Sequence, residues 1–407
     1  MTNISPLTGG LKTMKGTSLF AQITTSILPR ADFQKLVNRH SGDKHSKGMK
    51  CWEQYMAMMF LQMSQVTSLR EIIGGMRSVA GKLVHLGLSK VLPKSTLSYA
   101  NAHRPSDIYQ DVFYEVLNRC QSTFQGRKKF RFKNPLKSLD SSTIDLCLSL
   151  FPWAKFRQTK GAIKLHLLLN HEGYIPQFAH ITDGKASDAR IAKKVLPNPL
   201  LLPKGSIVVF DRAYVDFVLF AALIKIGVYF VTRLKDGMQF DVIEVRGVPQ
   251  GRNILRDDLI RFTSKKAQEV LGQHNTFRLV ESVDPETGES ITVLTNHLEF
   301  GSTTIARIYK DRWNIEIFFK TIKQHLRIKT FVGTTENALR IQIWTALTTI
   351  LALKYFKALS TYDWSFSNLI SMLRLNLFTY RELLDWLNDP YSTPLWEPPI
   401  QIEMSFG

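Results

Sequence analysis

The chain has 407 residues, and its 53 Lys and Arg side chains outnumber 34 Asp and Glu to give a formal net charge of +19. A basic excess of this size favours a polyanionic partner, and a mean hydropathy of −0.09 is typical of soluble globular proteins. Three widely separated cysteines argue against a disulfide framework or a zinc ribbon and fit a reducing cytoplasm. The length allows two or three domains, each with its own core.

The N-terminal third is predicted to be mainly helical and strongly basic. Residues 1–30 have weak periodicity and predict a loose arm, and residues 31–130 predict several helices. Residues 1–135 hold 20 Lys and Arg against 7 Asp and Glu, so most of the excess charge lies here. The helices are predicted over Cys51–Gln62, from the capping box Ser68-x-x-Glu71 to about Arg77, from Pro93 to before Pro105, and from Asp107 to about Arg119.

Short helices with scattered cations suit a DNA-reading domain of the helix-turn-helix kind, and a plain helical bundle gives the same pattern. A run that alternates cations with aromatic residues follows these helices. Such a run can track a phosphate backbone or form a solvated linker. Its cations are Arg127, Lys128, Lys129, Arg131 and Lys133.

From Lys137 the apolar residues take the period of β-strands. Alternation and turn residues predict an antiparallel meander over Leu139–Ser149, Ala162–Asn170 and Ile175–Ile181, with Asp140 on its first strand. The chain after Lys323 returns to apolar helical patterns. These predict helices over Glu336–Leu359 and Phe366–Leu387, before a Pro-rich surface tail at 394–399.

Between these regions the sequence predicts a βαβ unit. The continuous apolar run Ser206–Phe210 is typical of a buried parallel strand, and Asp211 follows at its carboxyl end. A helix over about 215–226 and a strand over 229–232 complete the unit. Residues 235–300 are polar and turn-rich, and predict a β-rich segment.

The stretch from Thr303 to His325 has no Gly or Pro and predicts one helix. Tyr309, Glu316 and Lys323 are seven residues apart and fall on one stripe. A solvated face with charge pairs would account for the charges but not for aromatic rings on the same face. A metal site beside bound nucleic acid uses a carboxylate, cations and flat rings together. Arg312, Trp313 and Lys320 broaden this stripe.

The spacing Tyr309-x2-Arg312-x3-Glu316-x6-Lys323 resembles the Y-R-E-K signature of the insertion-sequence-4 family of DDE transposases. The segments around Asp140 and Asp211 resemble those that carry the two catalytic aspartates of that family. The resemblance covers about residues 130–345. It implies a ribonuclease-H-like catalytic domain over 131–345 with a β-rich insertion at 235–300, preceded by a helical DNA-binding domain at 31–130. A helical C-terminal region, 346–407, would pack against the catalytic core and help two protomers meet.

The resemblance also implies the site and its cofactor. Asp140, Asp211 and Glu316 would be the catalytic residues and would hold two Mg²⁺ ions, with Mn²⁺ able to substitute. Asp145 and Asp188 are further carboxylates near the same strands, and we interpret them as structural or as supports for the catalytic residues. The residues expected to contact DNA are Tyr309, Arg312, Trp313, Lys320, Lys323, Arg127, Lys128, Lys129 and Arg131.

Some members of that family hold a flipped base with a Trp of the β-rich insertion. No Trp occurs here between Lys235 and Phe300. An aromatic residue elsewhere would have to take this role. The candidates are Phe240, Phe262 and Phe277 in the insertion and Trp313 in the signature.

The resemblance implies a transposase that cuts double-stranded DNA at the terminal inverted repeats of its element through a hairpin intermediate. The expected partners are element ends, target DNA and a second protomer in a synaptic complex, with no membrane and no nucleotide cofactor. The expected location is the bacterial cytoplasm, at the nucleoid. Two alternatives stay open: an inactivated transposase that acts as a repressor, and a ribonuclease-H-like nuclease of branched DNA.

Overall fold

The computed structural model describes residues 16–46, 48–88, 90, 93–285, 287–326 and 330–395. The chain forms two compact units. The first, here called the helical unit, combines Met1–Gln125 with Thr321–Gly407, and the second, the sheet unit, is Gly126–Lys320. This division differs from the three successive domains expected from the sequence, because the two ends of the chain share one unit.

The helices, in chain order, are α1 Leu19–Ile27, α2 Arg30–Arg39, α3 Cys51–Ser64, α4 Leu69–Ser78, α5 Ala80–Leu83, α6 Lys94–His103, α7 Asp107–Cys120, α8 Asp188–Val195, α9 Phe217–Lys225, α10 Lys265–Leu271, α11 Ser302–Asp311, α12 Trp313–His325, α13 Glu336–Leu359, α14 Phe366–Asn376 and α15 Leu383–Asn388. The strands are β1 Leu136–Leu146, β2 Gly161–Asn170, β3 Ile175–Asp183, β4 Ile207–Phe210, β5 Tyr229–Arg233, β6 Phe240–Val245, β7 Ile254–Phe262, β8 Phe277–Val283 and β9 Ser290–Thr295.

Among the described residues the strands form a single mixed sheet in the order β3-β2-β1-β4-β5-β9-β8-β7-β6. The predicted antiparallel meander is confirmed, since β1 pairs with β2 and β2 with β3 in that sense. The predicted βαβ unit is also confirmed, because β4 runs parallel to both β1 and β5. All four residues of β4 are buried, as expected for a strand covered on both faces.

The β-rich segment at 235–300 is confirmed as β-rich, and it extends the same sheet. Strand β9 pairs antiparallel with β5, with Val231 opposite Thr295, and β8, β7 and β6 follow outward. The sheet therefore continues without a break from the meander to the end of this segment.

The two faces of the sheet have separate cores because successive side chains of a strand point to opposite sides. Phe210 and Phe230 lie in one core with residues of α9 and α10. Ile207 and Val209 lie in the other with Ile305 and Ile308 of α11. Two candidates for holding a flipped base, Phe262 and Phe277, are fully buried in the first core. They are therefore excluded as base-stacking side chains in this conformation, and Phe240 is half-buried against the same core.

The expectation of a loose arm over residues 1–30 is wrong for the part that the structure describes. Helix α1 is almost wholly buried, and its first turn is tied to a distant loop by hydrogen bonds from the amides of Leu19 and Phe20 to the carbonyls of Thr379 and Leu377. A short apolar helix has little stability alone, and this one depends on partners far along the chain. Residues 1–15 lie outside the described residues.

Helix α13 is confirmed at its predicted bounds and is the centre of the helical unit. It packs on α7, α3 and α6, and the Trp344 ring lies 5.5 Å from that of Phe113. Within the helical unit, α13 thus packs on helices from the N-terminal part of the chain. The helix predicted over Phe366–Leu387 is two helices, α14 and α15, separated by the loop that receives α1. Most of the Pro-rich tail, from 396 onward, lies outside the described residues.

Within the described ranges, no helix combines the length and the apolarity needed to cross a bilayer.

Candidate active site

Two of the three predicted catalytic residues come from neighbouring strands. Asp140 lies on β1, and Asp211 follows the last residue of β4. Leu139 and Phe210 are partners in the parallel ladder between these strands. The next residue on each strand is an aspartate, so the ladder places the two carboxylates side by side at one edge. Glu316 is on the first turn of α12.

The Asp140 side chain is mostly buried, and this burial raises its pKa to about 6. A hydrogen bond of 2.8 Å from the amide of Ser141 and the nearby Arg312 lower the pKa, whereas the charges of Glu316 and Asp211 raise it. Each of the other two predicted carboxylates is therefore close enough to Asp140 to repel its negative charge. The structure brings all three predicted acidic residues together.

One guanidinium lies among these carboxylates. Arg312 donates a hydrogen bond of 2.7 Å to Oε1 of Glu316, and its Nη1 lies 3.7 Å from Oδ2 of Asp140. Its side chain is only 12% exposed, and it lies over the Tyr309 ring at 5.6 Å. Arg312 therefore pairs with two of the three carboxylates.

The donor set fits a hard divalent ion by its chemistry, because carboxylate oxygens are the ligands that such ions prefer. In the part of the chain that the structure describes, however, no three acidic, His or Cys side chains are already gathered at metal-binding distances. Arg312 instead contacts both Asp140 and Glu316. A metal ion shared by these two carboxylates would require one of them to leave the guanidinium.

The predicted single helix from Thr303 to His325 is wrong. The stretch forms two helices instead. Helix α11 begins at Ser302, one residue before the predicted start, and Arg312 separates it from α12. The amide of Arg312 bonds to the carbonyl of Tyr309, and that of Ile315 to the carbonyl of Arg312, a tighter three-residue spacing.

This interruption separates the two aromatic residues of the signature. Tyr309 is 8% exposed and belongs to a sheet core, whereas Trp313 is 58% exposed. Lys320 is also exposed, and Lys323 lies on α12 about two turns beyond Glu316.

A buried carboxylate that the sequence analysis did not identify lies directly before Arg312. The Asp311 side chain is 1% exposed and accepts hydrogen bonds from Lys129 (2.5 Å), His171 (2.7 Å) and Tyr174 (3.0 Å). The other ring nitrogen of His171 is 2.7 Å from Oγ of Ser138. The sequence indicated this network only by the presence of an acidic residue, Asp311, between Tyr309 and Arg312 of the signature.

The side chains of the basic run before β1 contact other residues of the sheet unit. Lys128 pairs with Glu172 at 3.3 Å and Lys129 with Asp311. The Phe130 ring lies under Arg307 at 5.8 Å. Two of the four cations expected to contact DNA therefore already have carboxylate partners. All four side chains, Arg127, Lys128, Lys129 and Arg131, are exposed.

Asp188 and Asp145 differ in their relation to the site. Asp188 accepts hydrogen bonds from Oγ of Ser141 (2.7 Å) and Nζ of Lys164 (3.1 Å). It thus supports the residue next to Asp140. Asp145 is exposed near the end of β1.

Comparison with known proteins agrees with this arrangement. Residues 132–352, more than half of the chain, match the family model described as a transposase DDE domain. Residues 15–89 match a domain of unknown function, DUF4372. The match to a transposase DDE domain over more than half of the chain defines a DNA-cleaving and DNA-transferring enzyme. The chain belongs to the transposase DDE domain family and is a DNA transposase.

Three curated relatives support this assignment. A putative transposase, y4zB, of Sinorhizobium fredii is 30% identical over 62% of this chain and 68% of its own length. A probable transposase for insertion sequence element IS5377 of Geobacillus stearothermophilus is 27% identical over 72% of this chain and 74% of its own. A putative transposase for insertion sequence element IS4SA of Synechocystis is 25% identical over 64% and 70%.

Proposed function

We propose that this protein is a transposase of the insertion-sequence-4 family that cuts the ends of its own element with Asp140, Asp211 and Glu316. The observation that carries the proposal is the convergence of these three carboxylates, with Arg312 paired to Asp140 and Glu316 and with the pKa of Asp140 raised by burial. A cluster of like charges in a partly buried site is costly for stability, and such sites are typically functional.

A ribonuclease-H-like core is supported by the strand order. An antiparallel meander β3-β2-β1 continues into the parallel strands β4 and β5, and a carboxylate-bearing helix follows. The two aspartates lie on the adjacent strands β1 and β4, as the resemblance implies. The segment from β6 to β9 would be the family's β-rich insertion.

The three carboxylates would hold Mg²⁺, with Mn²⁺ as a substitute, because hard oxygen ligands prefer these ions. A divalent ion in such a site supplies an activated water and stabilises charge on the phosphate oxygens. Arg312 then has a second role. Once it releases a carboxylate, its planar guanidinium is suited to grip a phosphate near the cut with two hydrogen bonds.

The remaining signature residues would bind the DNA strand around the cut. Trp313 is the exposed ring next to the carboxylates, so it is the best placed to stack on a base. Lys320 and Lys323 would contact phosphates as point charges. Tyr309 would serve chiefly as a support under Arg312, since its ring is buried.

Residues outside the acidic cluster would bind the DNA on either side of the cut. The helical unit carries most of the N-terminal basic excess and would recognise the terminal inverted repeats. Arg127, Lys128, Lys129 and Arg131 would contact the DNA backbone, with Lys128 and Lys129 exchanging their carboxylate partners for phosphates. Two protomers would hold both ends in a synaptic complex, where a freed 3′-hydroxyl attacks the opposite strand to form a hairpin.

The test is cleavage of a plasmid that carries the DNA flanking this gene, with Mg²⁺, by the wild type and by Glu316→Gln. Hairpin-ended fragments from the wild type and intact plasmid with the variant are expected. Glu269→Gln, a change at an exposed glutamate of α10, is the matched control and should cut normally. Binding of the ends without cutting by the wild type would favour a repressor. Cutting of branched DNA that lacks the repeats would favour a structure-specific nuclease.

A further inference from the structure

A chain of buried side chains connects β1 with the junction between α11 and α12. Ser138 on β1 contacts His171, His171 contacts Asp311, and the side-chain amide of Asn314 donates to Oδ1 of Asp311 at 3.1 Å. The chain starts two residues before Asp140 and ends two residues before Glu316. It therefore joins the two elements that carry these carboxylates.

The order Ser138, His171, Asp311 is that of a nucleophilic triad, with both distances 2.7 Å. A triad needs a serine that a substrate can reach. Ser138 is fully buried and His171 is 6% exposed. A substrate therefore cannot reach this serine. The three residues can affect a reaction only through neighbouring residues such as Asp140 and Arg312.

Asp311 is held as an anion. Burial would raise its pKa, but hydrogen bonds from His171 and Lys129 bring the pKa to about 2. A buried charge is tolerated only when donors surround it. Here the donors come from the basic run, from the turn after β2, and from α12, so one carboxylate ties three separate segments together.

Asp311 is also the residue before Arg312. We expect a change at Asp311 to shift the point at which the helix is interrupted, and with it the Arg312 guanidinium that contacts Asp140 and Glu316. Carboxylates that act together must be held within about 0.5 Å of their working positions. Arg312 itself cannot supply this precision if it leaves one carboxylate when a metal binds.

We propose that Asp311 is a positioning residue for DNA cleavage, which sets the spacing between Asp140 and Glu316 by fastening the α11–α12 junction to β1 through His171 and Ser138. This inference rests on the proposed metal-dependent function of the three carboxylates. Partners of this kind, one shell outside a metal site, typically change metal affinity or activity about 10- to 100-fold when they are removed.

The experiment compares the full-length wild type with Asp311→Asn, which keeps the shape of the side chain and removes its charge. Mn²⁺ binding is measured by calorimetry, together with binding and cleavage of end DNA. We expect the Mn²⁺ dissociation constant to rise about tenfold or more and the cleavage rate to fall by a similar factor. The affinity for end DNA should stay within about twofold, because the exposed cations are untouched.

A matched control separates positioning from loss of stability. Asp257 is as deeply buried in the same unit and pairs with Arg278 at 2.6 Å, away from the acidic cluster. Asp257→Asn should lower the melting temperature as Asp311→Asn does, without changing the Mn²⁺ dissociation constant. If both variants melt earlier and neither changes Mn²⁺ binding, Asp311 is merely structural and the inference is overturned.

A second variant serves if Asp311→Asn does not fold. Tyr174→Phe removes one 3.0 Å donor to Asp311 and nothing else from the network. It should weaken Mn²⁺ binding severalfold, and unchanged binding in this folded variant would count against the inference. A wild type that neither binds Mn²⁺ nor cuts would overturn the proposed function and this inference together. A wild type that does both, beside variants with unchanged Mn²⁺ binding, would overturn the inference alone.

Discussion

Two acidic sites in the sheet unit differ in how their charge is balanced. Asp311 is fully buried, and against the opposing effect of burial the hydrogen bonds from His171 and Lys129 lower its pKa to about 2. Asp140 is mostly buried, shares one guanidinium with Glu316, and has its pKa raised to about 6. The Asp311 carboxylate thus has its own donors from several segments, whereas Asp140 shares its cation with Glu316. We expect the first carboxylate to hold its segments in position and the second to be available for a metal ion.

The contrast is tested most strongly by Asp140→Asn. Loss of a ligand oxygen should reduce cleavage about a thousandfold or more, equivalent to about 4 kcal/mol of transition-state stabilisation. The same change removes repulsion among three carboxylates, so the melting temperature in metal-free buffer should stay equal or rise by about 2–4 °C. Asp145→Asn, an exposed aspartate of the same strand, should change neither quantity. A large fall in melting temperature with Asp140→Asn would show that its charge is structural.

The pH dependence of unfolding tests the other side of the contrast. The pKa of Asp311 is lowered, so its contribution is complete above the ordinary carboxyl pKa of 3.8 and is lost as the pH falls toward about 2. This contribution is about 2 kcal/mol. Urea unfolding of the wild type and Asp311→Asn should differ most at pH 5 and converge below pH 3. A constant difference over this range would contradict the assignment.

Trp313→Ala tests whether the exposed ring next to the carboxylates is used for DNA. Stacking on a base contributes about 1–3 kcal/mol, so binding or processing of end DNA should weaken about tenfold. The melting temperature should not change, because the ring is 58% exposed. Trp344→Ala, which removes a ring buried in the helical unit, should have the opposite profile, with lower stability as the main effect.

The smallest effect is expected for the basic run. Arg131→Ala should reduce the slope of log affinity against log salt by about one, as for loss of one phosphate contact. Lys128→Ala should change the slope less, because Lys128 pairs with Glu172. Equal slopes for the two variants would mean that DNA displaces Glu172 from this lysine.

The sequence predicts those elements of the fold that depend only on their own local residues. The apolar run before Asp211 and the helix Glu336–Leu359 were predicted within a residue of the structure, because burial and helix caps are written locally. The interruption at Arg312 was not predictable, since no Gly or Pro marks it. The interruption directly follows Asp311, which accepts a hydrogen bond from His171, a residue 140 positions away in the sequence.

The same limit applies to the site and to the sheet. Asp140, Asp211 and Glu316 were found by their resemblance to a family pattern, and the structure brings them together. The partners of Asp311 lack any such pattern, because an Asp, a His and a Lys far apart in sequence have many possible neighbours. The pairing of β9 with β5 and the docking of α1 beside Thr379 are also contacts between distant segments. Periodicity cannot specify them.

The helical unit is assembled from both ends of the chain, with the sheet unit synthesised between them. On a ribosome, residues 1–125 therefore emerge long before α13, against which α3 and α7 pack. We expect the sheet unit to fold first and the helices to wait for their C-terminal partner. A product that ends early would expose the Met- and aromatic-rich surface of α3 and become a substrate for proteases. We therefore expect the N-terminal helices to reach their folded state only after α13 has been translated.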